Sequence, residues 1–198
     1  MNFFFRVDAS LNIGIGHLVR CLTLAKELKK RGKKCTFLCK DYNRDLIKKI
    51  YEENFKVIIL SSIKKKNKKL ENNNIDSNLI KLNKNLNEDA KLTIKAIEKK
   101  QVDWLIVDHY GIDIKWEKKV RKYVKNILII DDLANRKHDC DLLLDQNLIA
   151  NYKKRYNHLL PSRSSILLGP KYSLLQNIYK NLHFKAKPRS GFPKKILI

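Results

Sequence analysis

The alternation of short apolar runs with amphipathic segments constrains the fold of this chain more than any other feature. Asn2 to Val7 form an almost continuous apolar run, which is typical of a strand buried on both faces of a parallel sheet. A polar loop with two glycines follows, and apolar residues then recur at helical spacing until Gly32 ends the pattern. The same order continues along most of the chain, which predicts a Rossmann-like α/β fold, a parallel sheet with helices on both faces.

The pattern predicts further strands at Cys35–Cys39, Phe55–Leu60, Val102–Val107, Ile127–Ile130, Cys140–Leu144 and Ile166–Leu168. It predicts helices over Leu18–Leu28, Tyr42–Asn54, Glu88–Lys100, Ile114–Val124 and Tyr172–Phe184. The Lys- and Asn-rich stretch from Ser61 to Asn87 has few apolar residues, so we expect a long exposed connection there.

The end of the chain differs in composition. Ala186 to Pro193 carry two prolines and a glycine, as linkers do, and Lys194 to Ile198 have the pattern of a new strand. We therefore expect residues 1–185 to form one domain and residues 186–198 to be a linker and the first strand of a second domain that this chain lacks. On this interpretation the 198 residues are a truncated part of a longer protein.

The formal charge of +23, from 43 Lys and Arg against 20 Asp and Glu, raises the question of an anionic partner. Only nine of the 43 are Arg, the lysines are scattered over all polar segments, and no RNA-binding signature is present. We expect no nucleic-acid partner. With no apolar stretch near the roughly 20 residues of a membrane span and no leader pattern, we also expect no membrane partner and a cytoplasmic protein.

The four cysteines do not have the paired, turn-borne spacing of zinc ligands, so we expect buried thiols, and neither a metal nor a cofactor. A candidate site lies instead where the predicted strands end, since the carboxyl ends of parallel strands share one edge of a sheet. The polar residues at these ends are Asp8, Asp108, His109, Tyr110, Asp131, Asp132, Asp145, Gln146 and Asn147.

Gly14 and Gly16 precede the first helix, where glycine permits a tight turn and lets a ligand approach the backbone, and the helix offers free N–H groups to an anion. The dinucleotide fingerprint is absent, because Val19 stands where its third glycine belongs. A purely structural turn is the alternative. His17 lies in the first helical turn, where the dipole disfavours the protonated imidazole, so it is either a general base or a packing residue.

Tyr110 can bond to a sugar hydroxyl or a leaving-group oxygen, and Asp108 can orient a catalytic side chain; a loop cap beside a buried tyrosine is the alternative. Six segments, taken together and in order, resemble the UDP-2,4-diacetamido-2,4,6-trideoxy-β-L-altropyranose hydrolases of pseudaminic acid biosynthesis. They are Arg6–Ser10, Ile13–Ala25, Val107–Gly111, Asp131–Ala134, Asp141–Asn147 and Leu168–Leu175.

The resemblance implies a two-domain GT-B fold, of which this chain is the N-terminal half, with the active site between the domains. It also implies inverting cleavage of the anomeric C–O bond of a small-molecule UDP-sugar, with release of UDP, in a pathway of flagellin and polysaccharide modification. His17 would be the base that activates water. The residues assigned to substrate binding are Arg6, Asp8, Gly14, Gly16, Asp108 and Tyr110.

Two other functions stay open at this point. One is a GT-B glycosyltransferase of surface polysaccharide synthesis, in which His17 would deprotonate an acceptor hydroxyl instead of water. The other is a non-catalytic basic binding domain, which would account for the charge of +23 without any chemistry.

Overall fold

The computed structural model describes residues 1–8, 15–41, 44–60, 86–187 and 191–192. Gly14, residues 61–85 of the predicted connection and most of the predicted linker and last strand lie outside the described residues. Within the described part of the chain the strands are β1 (Asn2–Val7), β2 (Lys34–Cys39), β3 (Lys56–Ile59), β4 (Trp104–Asp108), β5 (Asn126–Ile130), β6 (Leu142–Asp145) and β7 (Ser165–Leu168).

The described helices are α1 (Gly16–Lys30), α2 (Arg44–Glu52), α3 (Leu86–Ile97), α4 (Ile114–Val120) and α5 (Asn177–Lys185). Four predicted helices extend beyond the described ones. Two of them end two or three residues too late, since α2 ends at Glu52 and α3 at Ile97. The segment after Ile114 continues past α4 only as a 3₁₀ turn, Arg121–Tyr123. The segment predicted to be helical from Tyr172 begins instead at Asn177, because Ser173 has an extended backbone with ψ 130° that interrupts any helix there.

All seven strands are parallel and form one sheet in the order β3-β2-β1-β4-β5-β6-β7. From β1 the chain adds β2 and β3 on one side. It then places β4 on the other side of β1 and adds β5, β6 and β7 beyond it. Such a reversal between β1 and β4 leaves a crevice at the carboxyl ends of these two strands, the usual ligand site of an open α/β sheet. The prediction of a Rossmann-like parallel α/β sheet is confirmed.

Helices cover both faces of the sheet. On one face, which we call the α1 face, Leu18 and Ala25 of α1 and Ile50 of α2 pack against strand residues such as Phe5 and Phe37. On the other, the α3 face, Ile97 of α3 and Trp116 of α4 pack with a second set of strand residues, Phe4, Leu38, Leu105, Ile127 and Leu143. Successive strand residues alternate between the two faces, so the strands are apolar almost throughout.

The cysteines are free thiols. Cys21, Cys39 and Cys140 are buried and Cys35 is half-buried, which confirms the prediction for three of the four. Burial raises the pKa of Cys35 to about 11 and that of Cys39 and Cys140 to about 12, so these thiols are protonated at neutral pH.

Helix α5 contributes little to this core. None of its side chains is buried, and Ile178 and Leu182 are 55% and 54% exposed. We therefore expect the double variant Ile178→Ala, Leu182→Ala to change the free energy of unfolding by less than about 1 kcal/mol. Denaturant unfolding measures this. Ile97→Ala, at a fully buried position, is the control and should cost about 2–5 kcal/mol; an equal loss in both variants would contradict the exposed position of α5.

Candidate functional site

The strand register brings the predicted polar residues to one edge of the sheet. Val7 of β1 pairs with Asp108 of β4, so Asp8 lies one residue beyond β1 beside His109. Ile130 pairs with Leu144, and the Asp131 N–H donates to the Leu144 carbonyl over 3.1 Å, which places Asp131 beside Asp145. These carboxylates therefore follow neighbouring strands at the same end, as the sequence predicts.

The alternation of side chains separates these residues between the two faces of the sheet. Asp108 is two residues after Ile106 in β4, so its side chain is on the same face and contacts α1. Arg6 and Asp8 are two and four residues after Phe4, so their side chains lie on the α3 face. The carboxylates at the edge of the sheet thus belong to separate networks.

Asp108 is the centre of the network on the α1 face. Its side chain is fully buried, and its Oδ1 is hydrogen-bonded to His17 Nδ1. Arg20 donates from Nε to Oδ2 over 2.5 Å and from Nη2 to Oδ1 over 2.6 Å, and the Cys21 thiol lies 3.6 Å from Oδ2. Burial acts to raise the pKa of Asp108, but the hydrogen bonds from Arg20 and His17 outweigh it and lower that pKa. The carboxylate is therefore ionised at neutral pH.

The contact with Asp108 assigns the tautomer of His17. An ionised carboxylate only accepts hydrogen bonds, so the ring carries a proton on Nδ1. His17 is the second residue of α1 and is 5% exposed. The first turn of α1 has no acidic residue. In the neutral ring, Nε2 is the nitrogen that can accept a proton.

Tyr110 completes this network. Its ring meets the His17 ring edge to face, with centroids 4.4 Å apart and an angle of 83° between the planes. Partial burial raises the pKa of Tyr110, and the nearby carboxylate of Asp132 raises it further. The phenol therefore keeps its proton at neutral pH and can donate a hydrogen bond. His17, Arg20, Asp108, Tyr110 and Asp132 form what we call the His17 cluster.

A second network is fully enclosed on the α3 face. Arg6 donates to both oxygens of Asp8, over 2.6 and 2.8 Å, and to both oxygens of Asp89, over 3.2 and 2.6 Å. Trp116 Nε1 donates to Asp89 over 2.9 Å, and Lys40 Nζ lies 2.8 Å from the same carboxylate. Arg6 and Asp8 are 0% and 1% exposed.

His109 links this second network to β4. Its Nδ1 accepts from the Gly111 N–H over 2.9 Å, so Nε2 carries the proton and lies 3.3 Å from Asp8 Oδ2. Burial alone would raise the pKa of Asp8, but the charge of Arg6 and the bonds to Arg6 and His109 lower it. Arg6, Asp8 and Asp89 thus have hydrogen-bond partners within the protein, and the arrangement joins β1, α3 and α4.

The remaining carboxylates at this edge also have protein partners. The Tyr156 hydroxyl lies 3.1 Å from Asp131 Oδ2 and 3.2 Å from Asp145 Oδ2. Asp145 also accepts from Arg155 Nη1 over 2.6 Å, and Arg136 Nη1 lies 2.9 Å from Asp131 Oδ1. These bonds order the loops that follow β5 and β6.

The structure therefore brings three of the predicted site residues together, His17, Asp108 and Tyr110, with Gly16 next to them in the chain. It places Arg6 and Asp8 in the enclosed network, so their predicted contact with substrate stays a prediction. Gly14 lies outside the described residues. A Cβ at Gly16 would meet no described atom within 4 Å, and the residue does not have a left-handed backbone. Most of the turn that precedes Gly16 lies outside the described residues, so the tight turn and the close approach of a ligand both stay predictions.

Arg20 is a residue of the site that the sequence analysis missed. It follows His17 by three positions on a helix, a spacing that puts two side chains on the same face, so the signal was present in the sequence.

Within the described residues, no cluster of three or more His, Cys, Asp or Glu side chains could hold a metal ion. None of the described helices has the length and apolar character needed to cross a membrane.

Comparison with known proteins gives relatives that are longer than this chain. A UDP-2,4-diacetamido-2,4,6-trideoxy-beta-L-altropyranose hydrolase of Campylobacter jejuni is 31% identical over 178 residues, which are 89% of this chain and 52% of that protein. An uncharacterised protein of Methanocaldococcus jannaschii is 27% identical over 185 residues, 92% of this chain and 32% of that protein. The chain thus spans about a half and about a third of the lengths of these two relatives. No family model matches the chain.

Solved structures with a similar fold include a MurG and a glycosyltransferase. MurG of Acinetobacter baumannii aligns with a TM-score of 0.48 and 14% identity, over 84% of this chain and 44% of that one. A glycosyltransferase of Rickettsia africae aligns with a TM-score of 0.39 and 18% identity, over 66% of this chain and 29% of that one.

The enclosed network predicts a large stability loss on removal of its cation. Arg6→Met leaves two buried carboxylates without their shared partner, so we expect it to lower the free energy of unfolding by about 3–5 kcal/mol at pH 7. Arg31→Met is the control, because Arg31 and Glu27 form an exposed i,i+4 pair that contributes less than about 1 kcal/mol.

The pH dependence gives a second measurement on the same variants. Burial raises the pKa of Asp8 and Asp89 but Arg6 lowers both by more, so their stabilisation is present above the unfolded Asp pKa of about 3.9 and is lost as the pH falls below it. The difference between the native chain and Arg6→Met should therefore shrink at pH 3. A difference that is small at pH 7, or that grows in acid, would contradict the structural role of Arg6.

Proposed function

We propose that this chain is the N-terminal domain of an enzyme that hydrolyses UDP-2,4-diacetamido-2,4,6-trideoxy-β-L-altropyranose and releases UDP. The observation that carries the proposal is the contact of His17 Nδ1 with Asp108 at the crevice between β1 and β4. A neutral imidazole held in this way would have Nε2 to accept a proton. The similarity to the Campylobacter jejuni hydrolase over 89% of this chain supports the choice of substrate. We place the reaction in the cytoplasm, in the synthesis of pseudaminic acid.

The proposed chemistry is a single displacement at the anomeric carbon. A water molecule forms the new C–O bond, the bond to the diphosphate oxygen breaks, and its electron pair leaves with UDP. His17 Nε2 takes the proton that the water loses, while Asp108 stabilises the imidazolium through Nδ1. Because water attacks opposite the leaving group, the configuration at the anomeric carbon inverts.

Other residues would position the substrate. The Tyr110 phenol, which keeps its proton because its pKa is raised, can donate to a sugar hydroxyl or to the leaving oxygen. The open space at Gly16 and the N–H groups of the first turn of α1 would accommodate a negatively charged part of the substrate. We further propose that residues 1–185 form the N-terminal domain of a GT-B enzyme and that a second domain, beginning after a linker, binds most of the nucleotide.

Product analysis tests the proposed reaction. The 198-residue chain and a fusion of it to the C-terminal part of the Campylobacter jejuni hydrolase are each incubated with the UDP-sugar. NMR then follows the release of UDP and the configuration of the free sugar. We expect inverted free sugar from the fusion and little from the chain alone. Turnover that requires an added acceptor would favour a glycosyltransferase. A basic binding domain would be favoured if the folded fusion shows no turnover and binds nucleic acid in a salt-dependent way.

Replacement of His17 tests its role as the base. His17→Asn in the fusion should lower kcat by about 10²–10⁴-fold, because asparagine can hold a water molecule but does not take its proton. The affinity for UDP should stay nearly unchanged. His158→Asn is the matched control, since His158 is exposed and has a φ of 63°, which asparagine adopts readily. A parallel loss of UDP affinity would make His17 a binding residue, and a fall below tenfold would exclude it as the base.

A further inference from the structure

Arg20 contacts Asp108, Asp132 and His17 within the His17 cluster. We infer that Arg20 is a positioning residue, which fixes the Asp108–His17 pair in one geometry and places a positive charge beside the His17 ring. The inference deepens the proposed function and rests on it for its catalytic meaning, whereas its effect on the histidine can be measured without any turnover.

The geometry of the contact with Asp108 is the first reason. Arg20 donates to both oxygens, from Nε over 2.5 Å and from Nη2 over 2.6 Å. The planar fork of the guanidinium matches the two oxygens of a carboxylate, so it sets the rotation of Asp108 as well as its position. Because Oδ1 is also the acceptor for His17 Nδ1, the orientation of the imidazole follows from that of Asp108.

The remaining nitrogen of Arg20 extends the arrangement to a second strand. Its Nη1 donates to Asp132 Oδ2 over 3.2 Å, and the side chain of Arg20 is 12% exposed. Asp132 follows β5 and lies close enough to Tyr110 to raise the pKa of its phenol. One guanidinium thus fixes the carboxylate beside His17 and the carboxylate beside Tyr110.

The charges around His17 are the second reason. Asp108 from β4 touches the ring and Asp132 lies on the far side of Arg20, while the Cys21 thiol and the Tyr110 phenol are uncharged because their pKa values are raised, above all by burial. Without a cation, the buried Asp108 carboxylate would favour a doubly protonated imidazole. Arg20 Nη2 lies 3.0 Å from His17 Nδ1, and its charge opposes a second positive charge on the ring.

A different arginine at the same edge provides a matched control. Arg155 donates to Asp145 over 2.6 Å and to the Asp132 carbonyl over 2.8 Å, with a side-chain exposure of 16% that is close to that of Arg20. Its contact with the His17 cluster is to the backbone of Asp132, and its side-chain partner is Asp145 of the other network. A purely structural role of an arginine at this edge would therefore affect both positions alike.

The test uses long-range ¹H–¹⁵N NMR of the 198-residue chain, which reports the tautomer of each histidine ring and the pH at which it gains its second proton. In the native chain we expect the Nδ1–H tautomer for His17. In Arg20→Gln we expect a mixture of tautomers and a titration that moves to higher pH. Arg155→Gln should change neither. A folded Arg20→Gln with the native tautomer and titration, or an equal shift in Arg155→Gln, would overturn the inference.

Arg20→Lys covers the case in which the glutamine variant does not fold. Lysine keeps the charge but lacks the fork, so the titration of His17 should stay near that of the native chain while the tautomer becomes mixed. In the active fusion, Arg20→Gln should lower kcat/KM about tenfold at pH 6 and less above pH 8, with KM unchanged. A lysine variant with native tautomer and native kcat would overturn the positioning role. An inactive native fusion would overturn only the proposed function, because the NMR results do not depend on turnover.

Discussion

The burial of the Asp108 carboxylate is the constraint on which the geometry of the site depends. An ionised group with no exposed surface needs charged or hydrogen-bonding partners, because its lost hydration otherwise costs several kcal/mol. Here His17, Arg20 and Cys21 supply them, and all three come from the first two turns of α1. The requirement of one carboxylate thus fixes the rotation of α1 about its axis. The same contact sets the proton of His17 on Nδ1, so stability and the orientation of the base have a common cause.

The division of the strand ends between two faces has a further consequence. Asp108 and His109 are adjacent in sequence but point to opposite sides of the sheet, one towards α1 and the other towards Asp8. The α3 face uses its charges to join elements, since Arg6 is enclosed between Asp8 and Asp89 and has no exposed surface. On the α1 face, Asp108 contacts Nδ1 of His17, and Tyr110 packs edge to face against the same ring. Residues of similar chemistry at one edge therefore have different roles, according to the face of the sheet on which each side chain lies.

Much of the fold could be predicted from the sequence, because strands buried on both faces are apolar throughout and end where polar residues begin. Most strand bounds agree with the predicted ones within about two residues. The prediction starts helix α5 too early, at Tyr172. Apolar residues at helical spacing extend back to Leu174, but the backbone of Ser173 is extended. The enclosure of Arg6 was not predictable in this way. Its partner Asp89 is 83 residues further along the chain, and no local pattern marks that pairing.

The distribution of charge supports a distinction between arginine and lysine in this protein. Six arginines bind carboxylates at or near the strand ends and the loops beside them: Arg6, Arg20, Arg121, Arg136, Arg155 and Arg163. Several lysine pairs are exposed and of the kind that contributes little, such as Lys26 with Glu53 and Lys48 with Glu52. Arginine suits the first role because its fork binds two oxygens and it is less strongly hydrated than an ammonium group. Of the 43 basic residues nine are arginines and 34 are lysines, so the formal charge of +23 arises mostly from lysines. This charge is not by itself a sign of an anionic macromolecular partner. The groups that define the His17 cluster would be the same in a chain with far fewer lysines.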